Sequence, residues 1–336
     1  MVTPATSPTP ARTAGTDTDI GVAVLRSPVS RYRDVVLFFL LAGLWGGSFV
    51  AIEVGLEYYP PVLYAAYRFD LAALLLVSYV LLTERGPLPR TRGDLAAIGF
   101  SGGLSVAANN SLLFVGQQYT TSGIAAITYS LVPIATAAVA AIWVGQSDLD
   151  ARGMFGVVLA FVGVGLVAQP DPENLAGGVT IGVGLILIGV LAVAVGSVGL
   201  RVVETSFSSI ALTGWAMLFG ALCMHGISLG AGEPQQLPVT ALPALVALVF
   251  LGVLASAVAY TIYFTLLDRL GPFEINLVSY VVPVVATVTG VLLLSEPITA
   301  FTVAGFVVIV VGFVLVKRHA IAEEVPKLVS RVGGFF

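Results

Sequence analysis

Ten long apolar stretches run through this chain, and the lysines and arginines are sorted between them. If the N-terminus lies inside the cell, fourteen of the fifteen basic residues fall in cytoplasmic segments and none falls in an outside loop. The exception, Arg68, lies within the second apolar stretch. Because lysine and arginine in short loops set the orientation of membrane helices, the sequence predicts a multi-pass protein of the cytoplasmic (inner) membrane with both termini in the cytoplasm.

Composition agrees with an all-α integral membrane protein. Charged residues make up 10% of the chain and hydrophobic residues 57%, whereas soluble domains carry about 25% charged residues. No basic stripe lies outside the short loops, which argues against a nucleic-acid partner. The single cysteine, Cys223, excludes an internal disulfide.

The positions of the spans follow from bilayer thickness, since a hydrocarbon core of about 30 Å needs roughly 20 apolar residues per helix. Residues 1–34 are rich in Thr, Pro, Ala and Asp and are predicted to be a disordered cytoplasmic tail. Residues 317–336 are predicted to form a second cytoplasmic tail. The ten spans are predicted near 35–54, 61–82, 95–116, 123–144, 153–168, 179–200, 209–230, 242–267, 274–294 and 299–316.

The chain also contains an internal repeat. Several residues recur at one shared offset: Pro133 and Pro283 are 150 positions apart, and 149 positions separate Gly156 from Gly305 and Gly163 from Gly312. The halves, 35–168 and 179–316, each hold five spans, so the second enters the membrane from the opposite side. Inverted repeats are typical of transporters that bind substrate near the bilayer midplane; the alternative is a duplication that only built a stable bundle.

Four short motifs, in this order and spacing, resemble the drug/metabolite transporter superfamily of the EamA type over residues 35–316. They are Leu44-Trp45-Gly46-Gly47-Ser48-Phe49, Ala66-Tyr67-Arg68-Phe69, Ser279-Tyr280-Val281-Val282-Pro283 and Ser295-Glu296-Pro297-Ile298-Thr299. The resemblance implies a ten-span secondary transporter built from two EamA-like repeats. The length and the tails are similar to those of bacterial aromatic and neutral amino-acid exporters.

One position departs from the family pattern. Gln146 stands where the first half of family members usually has a glutamate, so only Glu296 retains that carboxylate. We interpret Glu296 as a group at the N-terminus of span ten, where a carboxylate suits the positive end of the helix. A role in proton coupling is the alternative.

Polar side chains within spans are expensive in lipid and are expected to face a partner or a cavity. Arg68 either binds a substrate carboxylate, or snorkels outward or bonds backbone carbonyls of a kinked helix. Asp70 lies on another face of the same helix and is expected to pair with a different span, and His225 is a neutral histidine or a proton-linked switch. Of Asn109 and Asn110, one is expected to face the cavity and the other to bridge helices.

Intramembrane tyrosines offer a ring face and a hydroxyl to a partly apolar solute, although simple packing explains each one alone. The repeat pairs Asn110 with Tyr260, which suggests symmetric positions around a midplane cavity. Pro133 and Pro283 interrupt backbone hydrogen bonds and are candidate hinges. The predicted substrate-binding residues are Arg68, Asn110, Tyr129, Trp215, Tyr260, Tyr263 and Tyr280.

The sequence thus predicts a secondary transporter that exports amino acids or related small metabolites by alternating access. Its partners would be a small-molecule substrate and the lipid bilayer, and proton exchange and facilitated diffusion both stay open. We expect no cofactor and no metal, because the chain has neither a phosphate-binding glycine-rich lysine motif nor a metal-ligand cluster. The alternatives are a non-coupled channel or lipid scramblase and an intramembrane enzyme; His225 and His319, the two histidines, have no evident catalytic partner in the sequence.

Overall fold

The computed structural model describes residues 28–84, 88–145, 150–169, 177–235 and 241–333. Within them, ten helices are long and apolar enough to cross a membrane, which confirms the all-α fold with ten spans. Spans one to ten are Tyr32–Leu56, Pro61–Thr83, Arg92–Gln117, Ser122–Trp143, Ala151–Ala168, Gly178–Arg201, Ser209–Gly230, Leu242–Leu270, Glu274–Leu294 and Ala300–His319.

Helical structure extends before the first span and beyond the last one. The first helix covers Pro28–Leu56, so the last seven residues of the predicted disordered tail are helical, and residues 1–27 lie outside the described part of the chain. The last helix covers Ala300–Gly333 and continues beyond the tenth span. Below, the end where span one begins is called the basic end, because the loops there carry the lysines and arginines; the other is called the opposite end.

Spans three and eight, which are equivalent in the repeat, each contain a π-helical segment in the middle. Span three consists of Arg92–Ile98, the π-helical Gly99–Ala108 and Asn109–Gln117. Span eight consists of Leu242–Val249, the π-helical Phe250–Val258 and Ala259–Leu270. A π-helical turn adds residues to the turn and rotates the side chains that follow it, and such segments are frequent at functional sites.

Spans four and nine are interrupted near the repeated proline. Span four divides into Ser122–Tyr129 and Val132–Trp143, and Pro133 is the second residue of the later helix. Span nine divides into Pro272–Asn276 and Val278–Leu294, and Pro283 lies inside the longer helix. Since proline has no N–H to donate, Pro283 removes a backbone hydrogen bond inside its helix, whereas Pro133 stands in the first turn of its helix, where proline is tolerated. Their role as hinges stays a prediction.

Spans five and ten approach each other through glycines from both repeats. A Cβ on Gly156 would lie 2.6 Å from the carbonyl oxygen of Gly312, and one on Gly163 would lie 2.7 Å from that of Gly305. The repeat equates Gly156 with Gly305 and Gly163 with Gly312, so one contact is converted into the other by exchanging the halves. The glycines therefore mark the pseudo-two-fold relation between the repeats and allow close backbone approach.

The same two spans are joined at both ends by equivalent side-chain contacts. At the basic end Asp150 accepts a hydrogen bond from the amide of Gly153 and forms an ion pair with Arg318. At the opposite end Gln169 donates to Thr299 at 3.0 Å. Thr299 follows Asp150 by 149 positions, and Arg318 follows Gln169 by 149 positions. The two contacts are therefore equivalent in the repeat.

Spans two and seven form a second pair, which is also joined at both ends. Glu233, in the loop after span seven, accepts hydrogen bonds from the amides of Val62 and Leu63 at 3.0 and 2.9 Å. Glu84, its equivalent after span two, accepts one from the hydroxyl of Ser208 at 2.7 Å. A carboxylate at a helix N-terminus meets unsatisfied amides and the positive end of the helix dipole.

The remaining spans form the centre of the bundle. Span one packs against spans nine and eight, and span six packs against spans three and four. The first half of span four, Ser122–Tyr129, packs against span nine, whereas its second half, Val132–Trp143, packs mainly against span six. Spans four and nine therefore meet at the opposite end and diverge toward the basic end.

Candidate substrate site

Arg68 is directed into the protein interior. Its side chain is 7% exposed, and its Nε donates to the Oγ of Ser256, in the π-helical segment of span eight, at 3.0 Å. Arg68 is seven residues from the start of span two, which is about 10 Å along a helix. The guanidinium therefore bonds a neighbouring span and not the carbonyls of its own helix, and this depth makes it a possible anchor for an anionic group.

Aromatic rings from spans one and eight lie beside this cation. The ring of Trp45 is 5.7 Å from that of Tyr260 and 5.5 Å from that of Tyr263, measured between centroids. Tyr260 lies near Arg68. All three rings are only partly buried although they lie within spans, as expected of side chains that line an internal space.

Tyr129 of span four completes the group. It lies near Arg68, accepts a hydrogen bond from the Nδ2 of Asn109 at 3.1 Å, and packs its ring 6.1 Å from that of Phe49. We call Trp45, Arg68, Tyr129, Ser256, Tyr260 and Tyr263 the central cluster. It combines one buried cation, hydroxyl groups and a wall of aromatic rings drawn from spans one, two, four and eight.

The other predicted site residues have different surroundings. Asn110 is buried and donates to the carbonyl oxygen of Val106 in its own helix at 2.8 Å. Tyr280 packs against Phe313 of span ten, with ring centroids 4.2 Å apart. Trp215 lies partly buried in span seven, which packs against spans two and three.

The π-helical segment explains why Asn109, and not Asn110, reaches Tyr129. Both asparagines follow Gly99–Ala108 directly, and the wider turn rotates them relative to a regular helix. No side-chain pattern marks such a turn. Ser256 was missed for a related reason, because a single serine in an apolar stretch resembles ordinary helix packing.

Asp70 and His225 form a contact between spans two and seven. Their side chains are 2.7 Å apart, and the ring of Tyr67 lies edge-on to the imidazole with centroids 5.6 Å apart. This confirms that Asp70 pairs with another span and not with Arg68. The pair lies where span two packs against span seven.

Glu296 binds a different helix from the one predicted. Its carboxylate accepts hydrogen bonds from the amide and hydroxyl of Ser122, both at 2.9 Å, and from the amide of Gly123 at 3.3 Å. These groups belong to the N-terminus of span four. The interpretation of Glu296 as a group for span ten was therefore wrong, although a helix N-terminus does hold it. Gln146, its equivalent, lies outside the described residues.

A second carboxylate, Glu53 of span one, was missed. Its Oε2 accepts a hydrogen bond from the Nε2 of Gln117 at 3.1 Å, and the same amide donates to the carbonyl oxygen of Phe49 at 2.6 Å. Glu53 is close enough to Glu296 for the two charges to interact. It lies in the last turn of the predicted span 35–54, and no role was predicted for it. In the described residues no group of three His, Cys, Asp or Glu could hold a metal ion.

Ten spans in two inverted halves around a buried polar and aromatic cluster define a membrane transporter. The EamA-like transporter family matches the chain twice, over residues 34–169 and 180–318, and the chain belongs to this family. It is similar to the uncharacterized inner membrane transporter YedA of Escherichia coli K12, with 32% identity over 83% of this chain and 88% of the relative. An uncharacterized transporter of Archaeoglobus fulgidus is 25% identical over 84% of this chain and 98% of its own length.

One solved crystal structure shares the fold. It aligns with a TM-score of 0.58 and 18% identity, covering 86% of this chain and 99% of that one.

Proposed function

We propose that this transporter exports amino acids with neutral, preferably aromatic, side chains by alternating access. The observation that carries the proposal is the position of Arg68, a buried cation near Tyr260, whose ring in turn contacts that of Trp45. A guanidinium binds a carboxylate through charge-assisted hydrogen bonds. The rings would pack against an apolar side chain, and the hydroxyls of Tyr129 and Tyr260 are placed to receive polar groups of the solute.

The proposed orientation places the basic end in the cytoplasm, as the distribution of lysine and arginine favours. Spans four and nine meet at the opposite end and diverge toward the basic end, which supports the assignment of this structure to a state whose central space opens to the cytoplasm. Export then requires the contact between these spans to open on the outer side. Pro133 and Pro283, near the interruptions of the two spans, are the candidate hinges.

The carboxylate requirement is testable by binding. We expect phenylalanine to bind the purified protein and phenethylamine, which lacks the carboxylate, to bind at least about tenfold more weakly, since a hydrogen bond to a charged group contributes about 1.5–3 kcal/mol. Isothermal titration in detergent would measure both dissociation constants. Equal binding of the two solutes would contradict a role for Arg68 as carboxylate anchor.

Replacing the arginine gives a second arm to the same experiment. Arg68→Ala should weaken phenylalanine binding by at least about tenfold for the same reason and should largely remove the preference over phenethylamine. Arg201→Ala is the matched control, because Arg201 is exposed at the end of span six. Retained preference in folded Arg68→Ala protein would place the carboxylate site elsewhere.

A further inference from the structure

Glu296 holds span four against the end of span nine where the proposed outer gate would open. Its carboxylate makes three hydrogen bonds to Ser122 and Gly123. Span nine also packs closely against this contact. A Cβ on Gly290 of span nine would lie 2.5 Å from the Oε2 of Glu296 and 2.6 Å from the hydroxyl of Ser122. Opening the outer side must break this contact, because it joins the two spans that have to separate.

Glu53 faces this contact from span one and meets charges of its own sign. The carboxyl groups that interact with it are Glu296 across the gate and Glu57 on its own helix. Five segments packed against span one from spans three, four, eight and nine carry no carboxyl, imidazole or basic group: Asn109–Gln117, Ser122–Tyr129, Leu242–Val249, Phe250–Val258 and Val278–Leu294. The last segment of span eight, Ala259–Leu270, carries Asp268 and Arg269 near the basic end, where Arg269 pairs with Asp34, at the other end of span one from Glu53.

Span two, the remaining neighbour, brings one cation and one carboxylate, and both are held by other partners. Arg68 donates to Ser256, and Asp70 contacts His225. Among the described residues, the closed gate therefore brings two carboxylates together without a neutralising cation, an arrangement in which like charges favour protonation of one member.

An unsatisfied hydrogen-bond acceptor beside Glu53 also favours a proton at this site. Gln117 is fully buried, and its Nε2 donates to Glu53 and Phe49, but its Oε1 has no hydrogen-bond donor. A buried acceptor without a donor costs about 1–3 kcal/mol. A protonated Glu53 would supply an O–H donor next to this amide, which the ionised form cannot do.

We propose that Glu53, together with Glu296 and Gln117, forms a proton-binding site that takes up one proton when the outer gate closes. When the gate opens, Glu296 leaves, water enters, and Glu53 releases its proton. The proposal rests on the proposed function, because it assumes an outer gate, and it adds a proton that stabilises the closed gate. Raising the external pH removes the proton, restores the repulsion between the two carboxylates and so favours the open gate.

Gate opening can be followed with a single cysteine in right-side-out vesicles. Thr287 of span nine lies under Gly123 of span four, where a Cβ would be 3.0 Å from its hydroxyl. Thr287→Cys in a Cys223→Ser background should react with an impermeant maleimide only when these spans separate. Ala231→Cys, at an exposed position of the opposite end, corrects at each pH for the ionisation of the thiol itself.

The expected result is a corrected labelling rate that rises with external pH by up to about tenfold per pH unit, the limit for one bound proton. Glu53→Gln, which imitates the protonated form, should label slowly at every pH. Glu57→Gln is the matched control on the same helix, since Glu57 is exposed, and it should keep the pH response. Glu296→Gln should move the response to lower pH, because it removes the opposing charge.

Two outcomes would overturn the proposal: a flat corrected rate in the parent protein, or an unchanged pH response in Glu53→Gln. If Glu53→Gln does not fold, Glu53→Asp and Glu296→Gln decide the matter, since the first should retain a pH response and the second should shift it. The labelling requires no solute. A pH response without amino-acid transport would therefore contradict the proposed function alone, and transport with a flat response would contradict only the proton site.

Discussion

Asn109 and Asn110 are adjacent but have different hydrogen-bond partners. They have the same side chain and adjacent positions, yet one bonds Tyr129 across two spans and the other bonds the carbonyl oxygen of Val106 in its own helix. Periodicity assigns them to neighbouring faces but does not say which face is central. The π-helical turn before them decides this, and it depends on how the backbone packs.

The adjacent asparagines also provide a matched pair of variants. Asn109→Ala removes the donor to Tyr129, so we expect phenylalanine binding to weaken by roughly 2- to 10-fold, from about 0.5–1.5 kcal/mol per hydrogen bond. Asn110→Ala should leave binding within about twofold, because its bond lies inside one helix. Titration of both purified variants checks this. The reverse order would return Asn110 to the site and remove Asn109 from it.

Arg68 could be recognised as unusual from the sequence, since a cation within a span is energetically costly unless it faces a partner or a cavity. Its partner Ser256 was not, because serine is common in membrane helices and lies 188 positions away. Tyr260 and Tyr263 were identified by their depth in span eight, and the structure places both against Trp45. Tyr280 met the same criterion but packs on Phe313, because depth alone does not fix the direction of a side chain.

At the scale of the element, the glycines of spans five and ten determine how closely two helices approach. Gly163→Ala would place a methyl group 2.7 Å from the carbonyl oxygen of Gly305, and a backbone atom cannot easily move aside. We expect a loss of about 1–3 kcal/mol, the usual cost of overpacking. Gly165→Ala is the control, since nothing lies within 4 Å of a Cβ there.

Thermal unfolding in detergent, followed by circular dichroism, would compare these two variants with the parent. Gly163→Ala should unfold at a lower temperature, while Gly165→Ala should unfold at the same temperature or a higher one, because alanine favours the helix. Equal behaviour of the two variants would mean that the close approach of spans five and ten is not needed for stability.

At the scale of the whole molecule, the repeat was the strongest sequence signal after hydropathy. The shared offset of 149 positions predicted that the halves are equivalent, and the structure contains contacts that exchange under that equivalence, such as Asp150 with Arg318 and Gln169 with Thr299. The offset did not reveal which helix a loop carboxylate would bind. Glu296 bonds span four because the loop folds back over the bundle end, a tertiary feature that neighbours in sequence do not show.

The orientation of the molecule yields a direct prediction. If the basic end is cytoplasmic, Ala231→Cys in a Cys223→Ser background should react with an impermeant maleimide added to intact cells. Arg92→Cys, at the basic end, should react only after the cells are opened. Both positions are exposed, so access and not burial decides the outcome. The opposite pattern would invert the orientation and place the proposed outer gate on the cytoplasmic side.

The central claim, that the cluster around Arg68 carries amino acids by alternating access, is tested most directly by counterflow. Proteoliposomes are loaded with unlabelled phenylalanine, and entry of labelled phenylalanine is followed without an imposed gradient. The account predicts transient accumulation that saturates, is blocked by excess unlabelled phenylalanine and is strongly reduced by Arg68→Ala but not by Arg201→Ala. Absence of accumulation with well-folded protein, or accumulation that Arg68→Ala leaves unchanged, would contradict it.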